Sequence, residues 1–346
     1  MKLGRTGAKV SNLCIGTDNY GNEYGCDEDT AHAILDRALD YGVNFIDTSD
    51  SYSAGRSETV IGNYFYERGN RDQVVLATKF RSRVGAGVND IGASRYHTVR
   101  AVEASLKRLQ TDRIDLYYSH SWDAETPVEE TLRALDDLIR QGKVVYAGCS
   151  NFPAWVLTRG LWVSDVRNLC RFEAVQSVFN ILQPGLGMEV IPHAAEEGVA
   201  VVPYSPLGSG MLTGKHPRTG PVQDSKFGAR DDERGGVLKN RYWDNARLDT
   251  VERLRTVSEK YGQPMVRLAL QWVSDFPGVT APIFGARRIE QIEGIIEAHS
   301  ERAPAEAMAE VRGIADEFAA STPMTYPPGP GGAFGRESRT KVGQPA

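Results

Sequence analysis

Val43-Asn44-Phe45-Ile46-Asp47, Val74-Val75-Leu76-Ala77-Thr78-Lys79 and Ile114-Asp115-Leu116-Tyr117-Tyr118-Ser119-His120 decide the reading of this chain. Each is a short apolar run that closes on an ionisable residue and leads into a segment of helical periodicity. Their length and their β-branched and aromatic content are those of buried strands. The residues that stand out are Asp47, Lys79 and His120 at the ends of the runs, and Tyr52 just past the first. In a barrel of alternating strands and helices, all strand ends of one polarity face one mouth, so residues distant in sequence converge there.

Outward from these runs the same unit repeats. Leu3 to Val10 reads as a small hairpin turning at Thr6-Gly7, and Leu13-Cys14-Ile15-Gly16 as the first core strand. Asp29 is placed to cap a helix to about Tyr41, with Ala33, Ile34, Ala38 and Leu39 on one face and Gly42 ending it. The strand to Asp47 precedes a helix over about Ser57–Glu67, the strand to Lys79 one over about Ser94–Leu109, and the strand to His120 one over about Val128–Gln141. Val144–Cys149 is followed by a helix from Pro153, and Ala174-Val175-Gln176 by a helix over about Met188–Glu197. Ala200–Tyr204 and Thr280–Ile283 supply the last strands, the latter followed by a helix over about Ile289–His299. Strict βα alternation requires crossover helices and hence a parallel sheet. Eight such units predict closure into a (β/α)8 TIM barrel over residues 1–320. The open doubly wound sheet is the rival, but Gly16-Thr17-Asp18-Asn19-Tyr20-Gly21 lacks the G-x-G-x-x-G turn it would want after the first strand.

Two stretches break the rhythm. Gly208 to about Asn245 is long and polar with little periodicity, the length usually reserved for a binding loop. Helical segments over Leu248–Tyr261 and Val266–Val273 then precede the last strand. Residues 321–346 form an irregular Gly/Pro-rich tail containing Pro327-Pro328-Gly329-Pro330-Gly331-Gly332.

At 346 residues and 41% apolar content, the chain can bury a large core without a disulfide or metal staple. A net charge of −5 argues against a nucleic-acid footprint. Cys14, Cys26, Cys149 and Cys170 form no CxxC pair and read as buried reduced thiols. Met1-Lys2-Leu3-Gly4-Arg5 opens no apolar leader, and no run approaches the ~18 residues of a membrane span. A cytoplasmic protein with no membrane partner is the expectation. The sequence is equally compatible with a monomer and a homo-oligomer.

Singly, each polar residue has an ordinary explanation. A strand-end lysine usually snorkels to the surface, and an aspartate after a strand usually caps a helix or forms a turn. Their joint occurrence at successive strand ends suggests chemistry. A tyrosine, with a pKa near ~10, donates a proton at neutral pH only beside a cation that stabilises the phenolate. Lys79 can be that cation, Asp47 can keep it charged, and His120 can hydrogen-bond a carbonyl oxygen. The set suits protonation of an oxyanion that develops as hydride arrives. It offers no strong nucleophile for acyl transfer, and His120 has no partner ligands at metal spacing.

These residues resemble the aldo-keto reductase family. Asp47-Thr48-Ser49-Asp50-Ser51-Tyr52 is similar to its D-T-A-x-x-Y motif, Ala77-Thr78-Lys79 to its lysine strand and Asp115–His120 to D-L-Y-x-x-H. Gly148–Phe152 is similar to G-x-S-N-F, Pro203–Gly208 to Y-S-P-L-G, and Gly285-Ala286-Arg287-Arg288 with Gln291 to the G-A-R-x-x-x-Q cofactor segment. The resemblance implies a barrel that binds NADPH without a Rossmann domain and reduces a small carbonyl substrate. Tyr52 would be its general acid/base, Lys79 and Asp47 its tuning pair, and His120 the carbonyl-orienting group. Ser150, Asn151 and Gln176 would hold the nicotinamide carboxamide, and Tyr204 would stack on its ring. Ser205, Leu207 and Gly208 would line the pyrophosphate and ribose path. Gly16 and Thr17, which close the first strand of the same mouth, would also contact the cofactor. Gly285, Arg287, Arg288 and Gln291 would form the adenosine end, with guanidinium suited to a 2′-phosphate.

The chain also departs from its relatives. Gly294 and Ile295 stand where many carry Glu-Asn against adenine, and Asp18 follows Thr17 where an apolar residue is common. Asp18 facing substrate would favour a polyhydroxylated, sugar-like carbonyl. Tyr20, Tyr24, Arg81, Trp122 and Phe227 are further expected mouth residues. The rival functions are a cofactor-binding regulatory or sensor subunit, and a sugar-modifying step that uses NADP transiently.

Overall fold

The barrel strands follow from short β-prone runs that are buried on both faces. The computed structural model describes residues 1–228 and 233–322. The strands are β1 (Cys14–Gly16), β2 (Phe45–Asp47), β3 (Val75–Phe80), β4 (Ile114–Ser119), β5 (Val144–Ser150), β6 (Phe172–Gln176), β7 (Ala200–Val201) and β8 (Ile283–Gly285). All named pairings are parallel, in the order β7-β6-β5-β4-β3-β2-β1-β8. Bridges Val201–Val279 and Tyr204–Ile283 join the two ends, with Thr280 N–H donating to Val201 O (2.8 Å) and Ile283 N–H to Pro203 O (2.7 Å). The fold is a (β/α)8 barrel.

The outer helices are α1 (Glu28–Asp40), α2 (Arg56–Arg68), α3 (Arg95–Leu109), α4 (Val128–Arg140), α5 (Ala154–Arg167), α6 (Val190–Glu196), α7 (Glu233–Tyr242), α8 (Asn245–Tyr261), α9 (Met265–Ser274), α10 (Ile289–Ser300) and α11 (Ala305–Ser321). Residue parity separates two cores. Ile15, Ile46, Leu76, Tyr117 and Val175 point outward against the helices. Cys14, Phe45, Ala77, Leu116, Tyr118, Ala174 and Val202 fill the barrel interior, where Leu3 and Val10 of the N-terminal hairpin join them. Gly148 leaves room for the Tyr118 ring, which a Cβ there would meet at 2.5 Å.

Several expectations need correction. The cap of α1 is Asp27, whose side chain accepts from Thr30 N–H, because Asp29 is already in the first turn. α6 starts at Val190, two residues after Met188, behind a 3-10 turn over Pro184–Gly187. β8 is Ile283–Gly285, since Pro282 has no amide to donate to the ladder. The stretch 208–245 holds a 3-10 turn (Gly208–Thr213) and α7, and α8 starts at Asn245 behind an Asp244 cap. α11 went unread; it packs on α8 and α9 and carries the domain through Ser321. The expected tail otherwise lies outside the described residues. Tyr20 and Phe227 are wholly buried rather than at the mouth. No helix of the described residues is long and apolar enough to cross a membrane.

Candidate active site

Inward parity carries the polar strand ends to one mouth. Asp47 follows Phe45, Lys79 follows Ala77, His120 follows Leu116 and Tyr118, and Gln176 follows Ala174, each two residues beyond an interior core position. The hydrophobic alternation that builds the barrel thus aims these side chains.

The lysine ammonium is fully specified. Nζ of Lys79 donates to Asp47 Oδ1 (2.5 Å), to Thr48 O (2.8 Å) and to the Tyr52 hydroxyl (3.2 Å). Three donors meet three acceptors. Since the phenol oxygen accepts from Lys79, its own proton is directed elsewhere. Lys79 and Asp47 are buried, whereas Tyr52 and His120 are partly exposed. Gln176 Nε2 donates to the other Asp47 oxygen at 2.8 Å. Burial pushes the Asp47 carboxyl up, and Lys79 and Gln176 pull it back. The Tyr52 and His120 rings meet edge to face at 5.9 Å.

An ion pair buried at its Glu58 end supports the turn that holds Tyr52. Glu58 is wholly buried on α2 and accepts from Thr78 Oγ1 (2.6 Å) and Arg108 Nε (2.7 Å). Arg108 packs beneath Gly55, where a Cβ would meet its Cδ at 3.0 Å. Ser53 and Ala54, immediately after Tyr52, lie in the left-handed region at φ 51° and 55°. Arg81 and Asn151, each the residue after β3 or β5, also have positive φ, as do Ser205 and Ser209 in the segment that follows β7. Among the described non-glycine residues the remaining cases, Gln110 and Asn168, are helix C-caps. Strained backbone therefore gathers at the mouth.

Ser150, Asn151 and Tyr204 stand next to this centre. Asn151 Nδ2 donates to His120 O and Ser150 Oγ (both 3.0 Å), and its Oδ1 accepts from the Tyr204 hydroxyl (3.0 Å). Gly208 has φ 57°, in the turn that follows Ser205 and Leu207. Thr17 is wholly buried, with its hydroxyl on Ser57 (2.8 Å) and Asp47 O (3.1 Å). Gly16 is where β1 meets β8; a Cβ there would strike Ile283 Cγ2 at 2.6 Å. Asp18 is engaged by Lys226 of the long loop at 3.2 Å. Trp122 meets Trp155 edge to face at 4.9 Å.

Arg287 and Arg288 form a cationic cluster around Asp224. Arg288 Nη1 lies 3.0 Å from Asp224 Oδ2, Arg287 holds the other Asp224 oxygen, and Gln291 Oε1 accepts the Arg287 amide at 2.9 Å. Gly285 lies beside Asn19, whose Nδ2 a Cβ there would meet at 3.2 Å. Lys215 joins this cluster. Burial and the neighbouring Arg287 hold its ammonium below the usual lysine range, with Arg288 adding and Asp224 opposing. The motif Thr213-Gly214-Lys215 carries no pattern that sets it apart from a solvated loop lysine.

The sequence profile of the Aldo/keto reductase family matches residues 12–316. The chain belongs to the aldo/keto reductase family. It is 39% identical over 305 residues to an uncharacterized oxidoreductase, YrpG, of Bacillus subtilis, covering 86% of this chain and 89% of that one. It is 33% identical over 332 residues to norsolorinic acid reductase B of Dothistroma septosporum, covering 92% and 81% respectively. A probable voltage-gated potassium channel subunit beta of Arabidopsis thaliana is 35% identical over 294 residues, covering 84% of this chain and 88% of the relative. This aldo/keto reductase is an oxidoreductase acting on carbonyl or alcohol groups, in a family that generally uses NAD(P)H.

The cofactor type fits the residues present. Dinucleotide phosphates require cations and backbone amides. Lys215, Arg287 and Arg288 would supply the first, whereas the Gly208 and Gly210 amides already donate to Ser205 O and Leu207 O (both 2.9 Å).

Proposed function

We propose that this aldo/keto reductase reduces an aldehyde or ketone with NADPH, Tyr52 being the proton donor. The observation that carries this reading is the Lys79 ammonium, whose three hydrogen bonds end on Asp47, Thr48 O and the Tyr52 hydroxyl. The reduced nicotinamide supplies hydride to the carbonyl carbon when bound. Tyr52 gives its phenol proton to the carbonyl oxygen, and Lys79 stabilises the phenolate left behind. Asp47 keeps Lys79 charged inside the barrel. His120 orients the carbonyl oxygen for protonation.

Ser150, Asn151 and Gln176 hold the carboxamide in this reading, and Tyr204 covers the nicotinamide ring. Ser205, Leu207 and Gly208 would line the pyrophosphate path, and Arg287 and Arg288, now on Asp224, would be the groups to take a 2′-phosphate. Arginine–phosphate contacts are charge-assisted and bidentate, which suits that role.

A second reading is a cofactor-binding regulatory subunit. The likeness to probable potassium channel beta subunits of Arabidopsis thaliana and Oryza sativa, each at 35% identity, favours it. Steady-state NADPH consumption with generic aldehydes and ketones separates the two. Tyr52→Phe is expected to lower kcat at least ~10²-fold while leaving NADPH affinity near wild type. A variant that keeps most of its turnover would remove Tyr52 as the acid.

A further inference from the structure

Ser49 lies between β2 and Tyr52, and Ser82 follows β3. Both hydroxyl oxygens are 3.2 Å from Nδ1 of His120. The chemistry proposed above uses neither serine. A ring nitrogen faced by hydroxyls either accepts from them or donates to them, so contact alone does not fix the tautomer.

The remaining partners of Ser49 break the tie. Its Oγ lies 3.3 Å from Asp50 Oδ1 and 3.1 Å from Ser51 Oγ, and it accepts the Ser51 amide at 3.3 Å. Were Asp50 a carboxylate, it would claim the Ser49 proton, and Ser49 would turn a lone pair towards His120. Ser82 would then be the one hydroxyl of the two left to donate to Nδ1. Asp50 is 2% exposed, and its buried Oδ2 has no hydrogen-bond partner. Nearby, the buried Glu58 carboxylate is already held by Arg108 and Thr78. A bare carboxylate oxygen at such a place is costly, and two close carboxyls favour one neutral member. Burial first, and Glu58 second, hold the Asp50 carboxyl well above its ordinary range. A neutral Asp50 can turn its own O–H to Ser49 Oγ, which leaves the Ser49 proton for His120.

We propose that Ser49 and Ser82 are positioning residues for His120: between them they donate to Nδ1 and keep the ring proton on Nε2, the nitrogen turned away from them. The imidazole then offers an N–H to the mouth, which selects an acceptor oxygen such as a carbonyl. The inference rests on the reading of His120 as the carbonyl-orienting group. Ser49 stands where the D-T-A-x-x-Y motif carries alanine, so its hydroxyl is a feature of this chain.

The test is nitrogen NMR of the full chain labelled with ¹⁵N-histidine, with the His120 signals identified by their loss in His120→Asn. The expected wild-type pattern is an unprotonated, pyridine-like Nδ1 and a protonated, pyrrole-like Nε2. In Ser49→Ala/Ser82→Ala the two shifts should converge through tautomer exchange. The same variant should lose about three- to tenfold in kcat/KM for carbonyl reduction, mostly in kcat. Ser49→Thr and Ser82→Thr should restore the wild-type shifts. A protonated Nδ1 in the wild-type chain overturns the proposal, as do unchanged His120 shifts in the double alanine variant. Undiminished reduction by His120→Asn would instead remove the role of His120, while the nitrogen shifts still decide the role of the serines.

Discussion

Gln176 Nε2 donates to Asp47 Oδ2 at 2.8 Å across 129 residues of sequence, so both oxygens of the buried carboxylate are occupied, the other by Lys79. Removing Gln176 bares one oxygen, and removing Asp47 strands an ammonium inside the barrel. Gln176→Leu is expected to cost about 1–3 kcal/mol of stability. Asp47→Ala should cost about 3–5 kcal/mol, the penalty of a buried charge that loses its partner. Urea denaturation with unchanged m-values checks both. A Gln176→Leu chain as stable as wild type would show that the hydrogen bond contributes nothing.

The Glu58–Arg108 pair makes a separable prediction. Glu58 is wholly buried and its Oε2 depends on Arg108, whose stem also packs under Gly55 at the end of the Tyr52 turn. Arg108→Leu is expected to destabilise by about 3–5 kcal/mol, and Glu58→Gln combined with it by clearly less, since the stranded charge is then gone. Turnover should fall in Arg108→Leu even well below its melting temperature, because the turn at Ser53 and Ala54 loses its floor. Equal destabilisation by the single and double variants would contradict a charge-based cause.

Arg287 and Arg288 converge on Asp224, so a phosphate there must compete with a carboxylate. Arg287→Ala is expected to weaken NADPH binding about 10- to 100-fold, the worth of a charge-assisted contact, with little effect on NADH. Asp224→Asn should leave the NADPH preference standing or raise it. Fluorescence titration with both cofactors reads this directly. Equal losses for NADPH and NADH would place Arg287 elsewhere than at a 2′-phosphate.

Much of this site was legible because two periodicities determine it. Period-2 alternation along Phe45–Asp47, Ala77–Lys79 and Leu116–His120 sets which side chains enter the barrel, and the βα repeat sets which end they enter at. What escaped reading depends on contacts with no local pattern. The Glu58–Thr78–Arg108 network joins three segments, and nothing in Gly55-Arg56-Ser57-Glu58 announces that Glu58 is buried. α11 follows a polar break at Ser300–Pro304, and its apolar face is defined by α8, α9 and the 3-10 turn over Pro184–Gly187, all distant in sequence. Phe227 read as a mouth residue because its loop lacks periodicity, yet it packs at 5.3 Å from His216 and 5.5 Å from Trp243. A loop that builds its own small core is invisible to pattern reading.

That small core gives the stability of the chain a pH signature. His216 is 2% exposed, and its Nδ1 accepts the Val222 amide at 3.2 Å. The ring is lodged between Phe227 and Trp243. Burial, with Lys215 adding repulsion, pushes it from an ordinary 6.5 down to about 4. The folded value is the lower one, so below pH 6.5 the unfolded chain takes up the proton first and folding loses ground. The contribution of His216 is therefore present above pH 6.5 and is lost progressively as pH falls towards about 4. Buried His97 and half-buried His299 shift the same way and form a background shared with any His216 variant. His216→Gln can still accept the Val222 amide but cannot titrate. Its unfolding free energy should fall less steeply than that of wild type through this window, with Val222 amide exchange slowed at the acid end. Parallel curves for the two chains would mean that the imidazole is not held neutral by the loop core.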